Sequence, residues 1–447
     1  MNTAFAPAES FVIAPRPDQT AILARERNKS YMLRAWISSG LFFMALPGTL
    51  LGFSSLMSIS THHSLGALPA AWMQGHGHAQ VFGWIGSFVL GIGFYSQPLG
   101  KRPSLRLPFA CFLLWTSGVL LRWVANIYLW RWRALLPISA SFELVAVLLF
   151  LRAASRHKLP AASGVATAAR PRMEEWMILV LLSTTGLAAA VAFNFVECIQ
   201  LARRAVDPAF PPALDQRYLI LLGWGFIAPV VWGFSARWLP TFLNLSRPHS
   251  RLLQFVMLLV TAGVLLGVSG WPRLATSLVA AAAILVVAAL HLTQKPLGSA
   301  KILGIHPSFP VFIRLAYLWL VIAACLGVLA ASADVHGGIW GASRHALTVG
   351  FAATMVFSIG PRILPHFTGI RDLYSKHLML LSLLFIQAGC TLRVSSEPLA
   401  YEGIVSFAWK TLPVSGAFEL AGVLLFGLNI TLTMLRGRSA FQIQNIS

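Results

Sequence analysis

The sequence predicts an all-α polytopic membrane protein of about twelve transmembrane helices, built as three pseudo-repeated four-helix units. Three observations carry this. Of 447 residues, 57% are hydrophobic and only 11% are charged. The apolar runs repeatedly reach ~20 residues, the length that crosses the hydrocarbon core of a bilayer. Distant segments also copy one another: Pro-x-Ser-x-x-Phe-Glu-Leu-x-x-Val-Leu-Leu-Phe occurs at 137–150 and again at 413–426.

Residues 1–34 are polar, with Pro15, Pro17, Arg25, Arg27, Lys29 and Arg34, and are expected to be a disordered cytoplasmic tail. They lack the apolar core and small-residue site of a signal peptide, so no cleavable leader is expected. Apolar runs then fall at roughly 35–57, 70–97, 107–129, 134–152, 176–201, 217–236, 252–270, 274–293, 311–333, 340–361, 377–393 and 411–435. They make one membrane domain over 35–436, with units at about 35–152, 176–293 and 311–435, followed by a cytoplasmic tail over 437–447.

An even number of spans puts both ends of this domain on one side. The tails and loops of that side hold 24 Lys and Arg, and those of the other side hold nine. Positive charge marks the cytoplasm, so both termini are expected inside. The formal charge of +20 has this topological explanation, and no nucleic-acid partner is expected. Cys111, Cys198, Cys325 and Cys390 are scattered in or beside apolar runs and form no CxxC pair or disulfide framework.

A second repeat bears on chemistry. His78-Ala-Gln-Val-Phe-Gly83-Trp84 and His345-Ala-Leu-Thr-Val-Gly350-Phe351 align without a gap at an offset of 267 residues, and Val89/Val356, Ile92/Ile359 and Pro98/Pro365 continue the match. The sixth run carries a fainter copy, with Gly223-Trp224, Gly233 and Arg237-Trp-Leu-Pro240, and Tyr218 at the histidine's place. Matched repeats in membrane proteins meet around a shared axis, with the functional site at their interface.

Of twelve histidines, His157, His249, His306 and His377 lie in basic cytoplasmic loops, and His291 and His366 lie at the inner interface. His62, His63, His76, His78, His336 and His345 all fall at the outer end. The first outer loop has no Lys or Arg, and neutral imidazole suits iron, copper and zinc. His78 and His345 are the candidate pair for a metal centre, haem being the leading reading, because one histidine from each of two helices is a standard way to hold haem in a bundle. Gly83 and Gly350 flatten the helix surface and leave room for helix approach or a porphyrin face. Trp72, Phe82, Trp84, Trp340 and Phe351 are candidate walls, or an interfacial aromatic belt. The ordinary alternative for each histidine is a hydrogen bond to a neighbouring helix. His76, His62, His63 and His336 form a candidate solvent-facing copper site.

Glu143, Glu419, Glu197 and Asn194 lie inside apolar runs, where a carboxylate is costly and expects a partner; Arg122 is one candidate. Orienting a ligand histidine, contacting a propionate, relaying protons and stabilising a four-helix unit are all open roles.

Twelve spans in three units with outer-leaflet histidines on the second and tenth resemble the haem-copper oxidase subunit I architecture. More specifically, His76-x-His78-x-x-x-Phe82-Gly83 and Arg344-His345-Ala-Leu-Thr-Val-Gly350 resemble the NnrS family over roughly residues 30–436. Ala79 departs from the acidic residue expected after the second histidine. The resemblance implies haem binding through His78 and His345, with a role in the nitric oxide or nitrosative-stress response or in denitrification-linked redox chemistry. The sixth and seventh runs contain no histidine, so a dinuclear catalytic centre of the oxidase kind is not expected, and enzyme status is left open.

The expected partners are the lipid bilayer, a small gaseous ligand such as nitric oxide, and a quinol or cytochrome electron donor. The rival readings are a membrane oxidoreductase of the haem-copper oxidase type and a secondary transporter. For the latter, Pro229 is the one feature that suggests a broken helix.

Overall fold

A computed structural model describes residues 17–96, 105–155, 173–367, 370 and 372–443, excepting the side chains of 17–25 and 437–443. His157, Pro98 and the outermost parts of both expected tails lie outside the described residues. All regular structure among the described residues is helical.

Among the described residues twelve helices are long and apolar enough to cross a membrane, and each overlaps one of the expected runs. They are α1 Glu26–His62, α2 Ala70–Ser96, α3 Arg106–Tyr128, α4 Trp132–Ser155, α5 Glu175–Arg204 and α6 Pro212–Leu243, then α7 Ser250–Val268, α8 Pro272–Ala289, α9 Phe309–Ala333, α10 Gly338–Phe367, α11 Lys376–Tyr401 and α12 Ala408–Arg436. Helical backbone already begins at Pro17, inside the segment expected to be a disordered tail. It also continues from α12 to Ile443, into the expected C-terminal tail. α11 also passes the expected end at 393 and runs to Tyr401. Its last turns are polar, but packing between α10 and α12 keeps them helical: Arg393 pairs with Glu397 one turn on, and Ser396 accepts a hydrogen bond from Thr411 at 2.5 Å.

Each helix packs on its neighbours in the chain, and α12 returns to pack on α1, which closes a ring. The seam is tied by Ser60 Oγ donating to the Trp409 carbonyl at 2.7 Å. Three helices stand inside the ring. The apolar stretch of α6 is 83% buried and those of α2 and α10 are each 67% buried, whereas every other helix has 28–50% buried and faces lipid. The inner three meet pairwise. Phe82 of α2 lies 6.5 Å from Tyr218 of α6, Trp84 of α2 lies 6.1 Å from Phe357 of α10, and Gly223 of α6 faces Leu347 of α10. Between helices in lipid the drive is close packing and hydrogen bonding, so small residues set the approach. Gly186 of α5 lies directly against the Gly225 backbone of α6, where any side chain would collide.

Four helices contain a wider, π-helical segment: Met44–Leu50 in α1, Ala79–Gly86 in α2, Leu221–Ile227 in α6 and Ala346–Ala353 in α10. Such segments concentrate at functional sites. In α2 and α10 they begin at the residue after His78 and His345. Pro229 does not break α6, which stays helical through it, just past the π segment.

Candidate functional site

His78 and Glu143 form the core of the first cluster. Both are buried, and His78 Nε2 lies 2.7 Å from Glu143 Oε1. The second carboxylate oxygen accepts from Asn194 Nδ2 at 3.0 Å, and Asn194 Oδ1 accepts from Arg122 at 3.2 Å. Arg122 also contacts Cys198. Arg122 thus reaches Glu143 through Asn194 rather than as a direct counter-charge. The His78 ring stacks on Phe82 at 4.4 Å, and Phe82 stacks on Trp115 at 5.4 Å. Four helices meet here, and each oxygen of Glu143 has a hydrogen-bond partner.

The second cluster centres on Glu397 of α11. His345 Nδ1 lies 2.9 Å from the Gly341 carbonyl and 3.3 Å from Glu397 Oε2. Arg393 grips the same carboxylate through Nε at 3.2 Å and a second nitrogen at 3.3 Å. That two-pronged geometry offsets the cost of taking both charges out of water. Gly341 makes it fit, because a side chain there would occupy the space of the Glu397 carboxylate. Glu419 of α12 is packed against Gly389, and its Oε1 has no partner in the protein. Arg344 donates to Gln216 of α6.

His76 faces differently from His78. Its Nδ1 lies 2.9 Å from the Gly48 carbonyl of α1, and its ring fills the space beside Gly52. It lies within electrostatic range of His345 and Arg393. A ring nitrogen facing a carbonyl oxygen must donate, so in the neutral imidazole the other nitrogen carries the lone pair. His76 and His345 therefore both present a free Nε2, while the Nε2 of His78 is engaged by Glu143.

Gly83 and Gly350 occupy equivalent places, and both are covered by protein. A Cβ at Gly83 would sit 2.6 Å from Phe43 of α1, and one at Gly350 would sit 2.5 Å from Trp319 of α9. These glycines bring α2 and α10 onto the aromatic side chains of the preceding helix.

The remaining outer histidines lie apart. His62 Nδ1 bonds the Ser58 carbonyl at 2.9 Å, and His63 stacks on Trp409 at 5.3 Å. His336 Nδ1 donates to Glu402 Oε2 at 2.8 Å, and its backbone amide donates to Oε1 at 3.3 Å. The hydrogen bond from the His336 ring holds the Glu402 carboxyl below the usual range. Among the described residues no three His, Cys, Asp or Glu are gathered as a metal site. Glu197 stands outside the hydrogen-bonded chain on a partly exposed face of α5. Trp72 donates to the Ile127 carbonyl at 3.1 Å, which anchors α2 to α3.

Sequence reasoning missed Arg393 and Glu397, although the signal was present. Gly118-x-x-x-Arg122-x-x-x-Asn126 on α3 recurs as Gly389-x-x-x-Arg393-x-x-x-Glu397 on α11, at an offset of 271 residues. The match extends to packing: Gly118 lies against Glu143 and Gly389 against Glu419.

Residues 237–434 match the family described as Domain of unknown function (DUF8744). That stretch includes His345, Arg393, Glu397 and Glu419, and excludes His76, His78 and Glu143. No curated protein matches the chain.

Proposed function

We propose that this chain is a haem-binding bacterial inner-membrane protein of the NnrS type, with His76 and His345 as the facing ligand pair. Both termini are taken as cytoplasmic. The observation that carries this is the shared state of the two rings. Each donates Nδ1–H to a carbonyl oxygen, and each keeps an Nε2 lone pair on an inner helix of the ring. That arrangement fits a metal ligand, whose second nitrogen is normally tied to a carbonyl or carboxylate. Glu397 adds such a carboxylate behind His345, and Arg393 holds it ionised in place.

The chain's own residues orient the rings. Gly48 and Gly341 fix the tautomers through their carbonyls. Phe43 and Trp319 fill the glycine faces and hold α2 and α10 against their neighbours. A bound haem, held by His76 and His345, would supply one-electron redox chemistry and a site for a gaseous ligand such as nitric oxide. The nitric oxide assignment rests on the motif resemblance. The three-unit reading is supported by the equivalent π segments of α2 and α10, and by the matched Gly-Arg-Asn and Gly-Arg-Glu rows of α3 and α11.

The test is a reduced-minus-oxidised optical spectrum of the purified protein, before and after nitric oxide. His76→Ala and His345→Ala are expected to lose the haem bands, and His78→Ala to keep them. Loss in His78→Ala with retention in His76→Ala would restore the pairing read from the repeat. A folded wild-type sample without haem bands would overturn the proposal.

A further inference from the structure

The segment joining α5 to α6 closes over the outer end of the His78 cluster. Gln74 of α2 holds it by two hydrogen bonds to a single residue: Nε2 donates to the Phe210 carbonyl at 3.0 Å, and Oε1 accepts from the Phe210 amide at 2.8 Å. Arg133 donates to the Ala205 carbonyl at 3.1 Å. Val206 and Asp207 face outward, whereas Phe210 turns inward and is only 3% exposed. Its ring lies 5.0 Å from the Arg122 guanidinium and 5.5 Å from the Tyr218 ring. Phe210 is placed as a plug, with its backbone tied to Gln74 and its ring over the buried polar chain.

Three buried side chains, two of them against the Phe210 ring and the third one turn along α3 from Arg122, keep a polar atom with no partner in the protein: Nε of Arg122, Oδ1 of Asn126 and the hydroxyl of Tyr218. Their exposures are 2%, 0% and 6%. Arg122 and Asn126 stand one turn apart on the same face of α3. The amide nitrogen of Asn126 donates to the Ala71 carbonyl at 3.0 Å, one turn before Gln74 on α2. Tyr218 and Arg122 both touch Phe210 and lie within electrostatic range of each other. The set offers a charged donor, a hydroxyl and an acceptor. A water that accepts from Arg122 and Tyr218 and donates to Asn126 satisfies all three, and about three partners is the usual number for a buried water. A small oxyanion fits worse, because the Asn126 oxygen would face it and the Glu143 carboxylate lies just beyond Asn194.

We propose that Arg122, Asn126 and Tyr218 line a water-binding chamber, reached from the outer face through an entrance that Phe210 closes and Gln74 latches. The Arg122–Asn194–Glu143–His78 chain starts at this chamber, so a water bound there extends the hydrogen-bonded path toward the outer surface.

Cys198 reports on the entrance, because its thiol lies against Arg122 and is fully buried. In the full chain with Cys111, Cys325 and Cys390 replaced by Ser, a small charged methanethiosulfonate reagent forms a mixed disulfide with Cys198 and releases methanesulfinate. Reaction is expected to be slow in this background. Gln74→Ala, which removes two hydrogen bonds and leaves the plug, and Phe210→Ala are each expected to speed it by about tenfold or more. Unchanged rates in both variants, with unaltered melting, would overturn the gated entrance. Tyr218→Phe tests the water without labelling. A bound water makes the variant melt lower, whereas a higher melting temperature would mean that the hydroxyl was buried dry, and would overturn the chamber.

Discussion

In the first four helices His78 bonds Glu143 of α4, whereas in the last four His345 bonds the Gly341 carbonyl and lies 3.3 Å from Glu397 of α11. The two halves carry the same ingredients: histidine on the inner helix, glycine and arginine on the next, and glutamate on the last. One residue separates them, since the position that is Asn126 on α3 is Glu397 on α11. A neutral amide at 126 leaves His78 to the glutamate of α4, and Arg122 turns to Asn194 of α5. A carboxylate at 397 instead captures both the histidine and the arginine, and leaves Glu419 Oε1 without a partner. The amide at 126 and the carboxylate at 397 thus go with different partners for His78 and His345, while His76, whose aligned position is Ser343, is oriented separately by the Gly48 carbonyl. In the first half the free Nε2 belongs to His76, and in the last half to His345.

The largest expected effect breaks this comparison at its charged pair. Arg393→Ala strands Glu397 in the membrane and is expected to cost about 3–5 kcal/mol. Arg122→Ala removes a hydrogen bond to a neutral amide and is expected to cost less, about 1–3 kcal/mol. Thermal melting in detergent compares them, and equal losses would mean that the two arginines are wired alike.

A smaller contrast lies in the glutamates. Glu143→Gln disturbs bonds at both oxygens and is expected to cost about 1.5–3 kcal/mol. Glu419→Gln alters a carboxylate with an unpartnered oxygen and is expected to cost less than about 1 kcal/mol. A Glu419 effect as large as that of Glu143 would show that both last helices hold their carboxylates equally tightly.

The smallest effect is just past the end of α11, where His336 pairs with Glu402. The folded carboxyl titrates below its ordinary value, so the pair stabilises the fold above the unfolded pKa of about 4.3, and this contribution fades as pH falls through the folded pKa. His336→Ala is expected to remove that pH-dependent part, worth less than about 1 kcal/mol for so exposed a pair. Melting curves from pH 6 down to pH 3 that overlay for wild type and variant would count against it.

The twelve crossings were legible because apolar length alone decides them. The end of α11 was not, since Arg393, Ser395, Ser396, Glu397 and Pro398 read as a loop until two neighbouring helices supply partners for the polar groups. The histidines on α2 and α10 were legible as a repeat, and their partners were not. Residues two apart on a helix point about 200° apart, so His76 and His78 had to diverge. Only the positions of α1 and α4 reveal that His76 meets the Gly48 carbonyl while His78 meets Glu143. Glycine was legible as a place of close approach, yet nothing in the local pattern says that Phe43 and Trp319 arrive to fill it.

The seam between α1 and α12 has a consequence for biogenesis. Ser60 and the Trp409 carbonyl it bonds are 349 residues apart. Leu56 and Ile59 of α1 share a buried cluster with Tyr401 and Leu412. During synthesis α1 therefore waits in the bilayer with one face unmatched until the last helix is delivered. The carbonyl that orients His76 sits on that waiting helix. Any cofactor held as proposed between His76 and His345 would await α10, and the face of α1 that bears Gly48 would be sealed only when α12 packs on it.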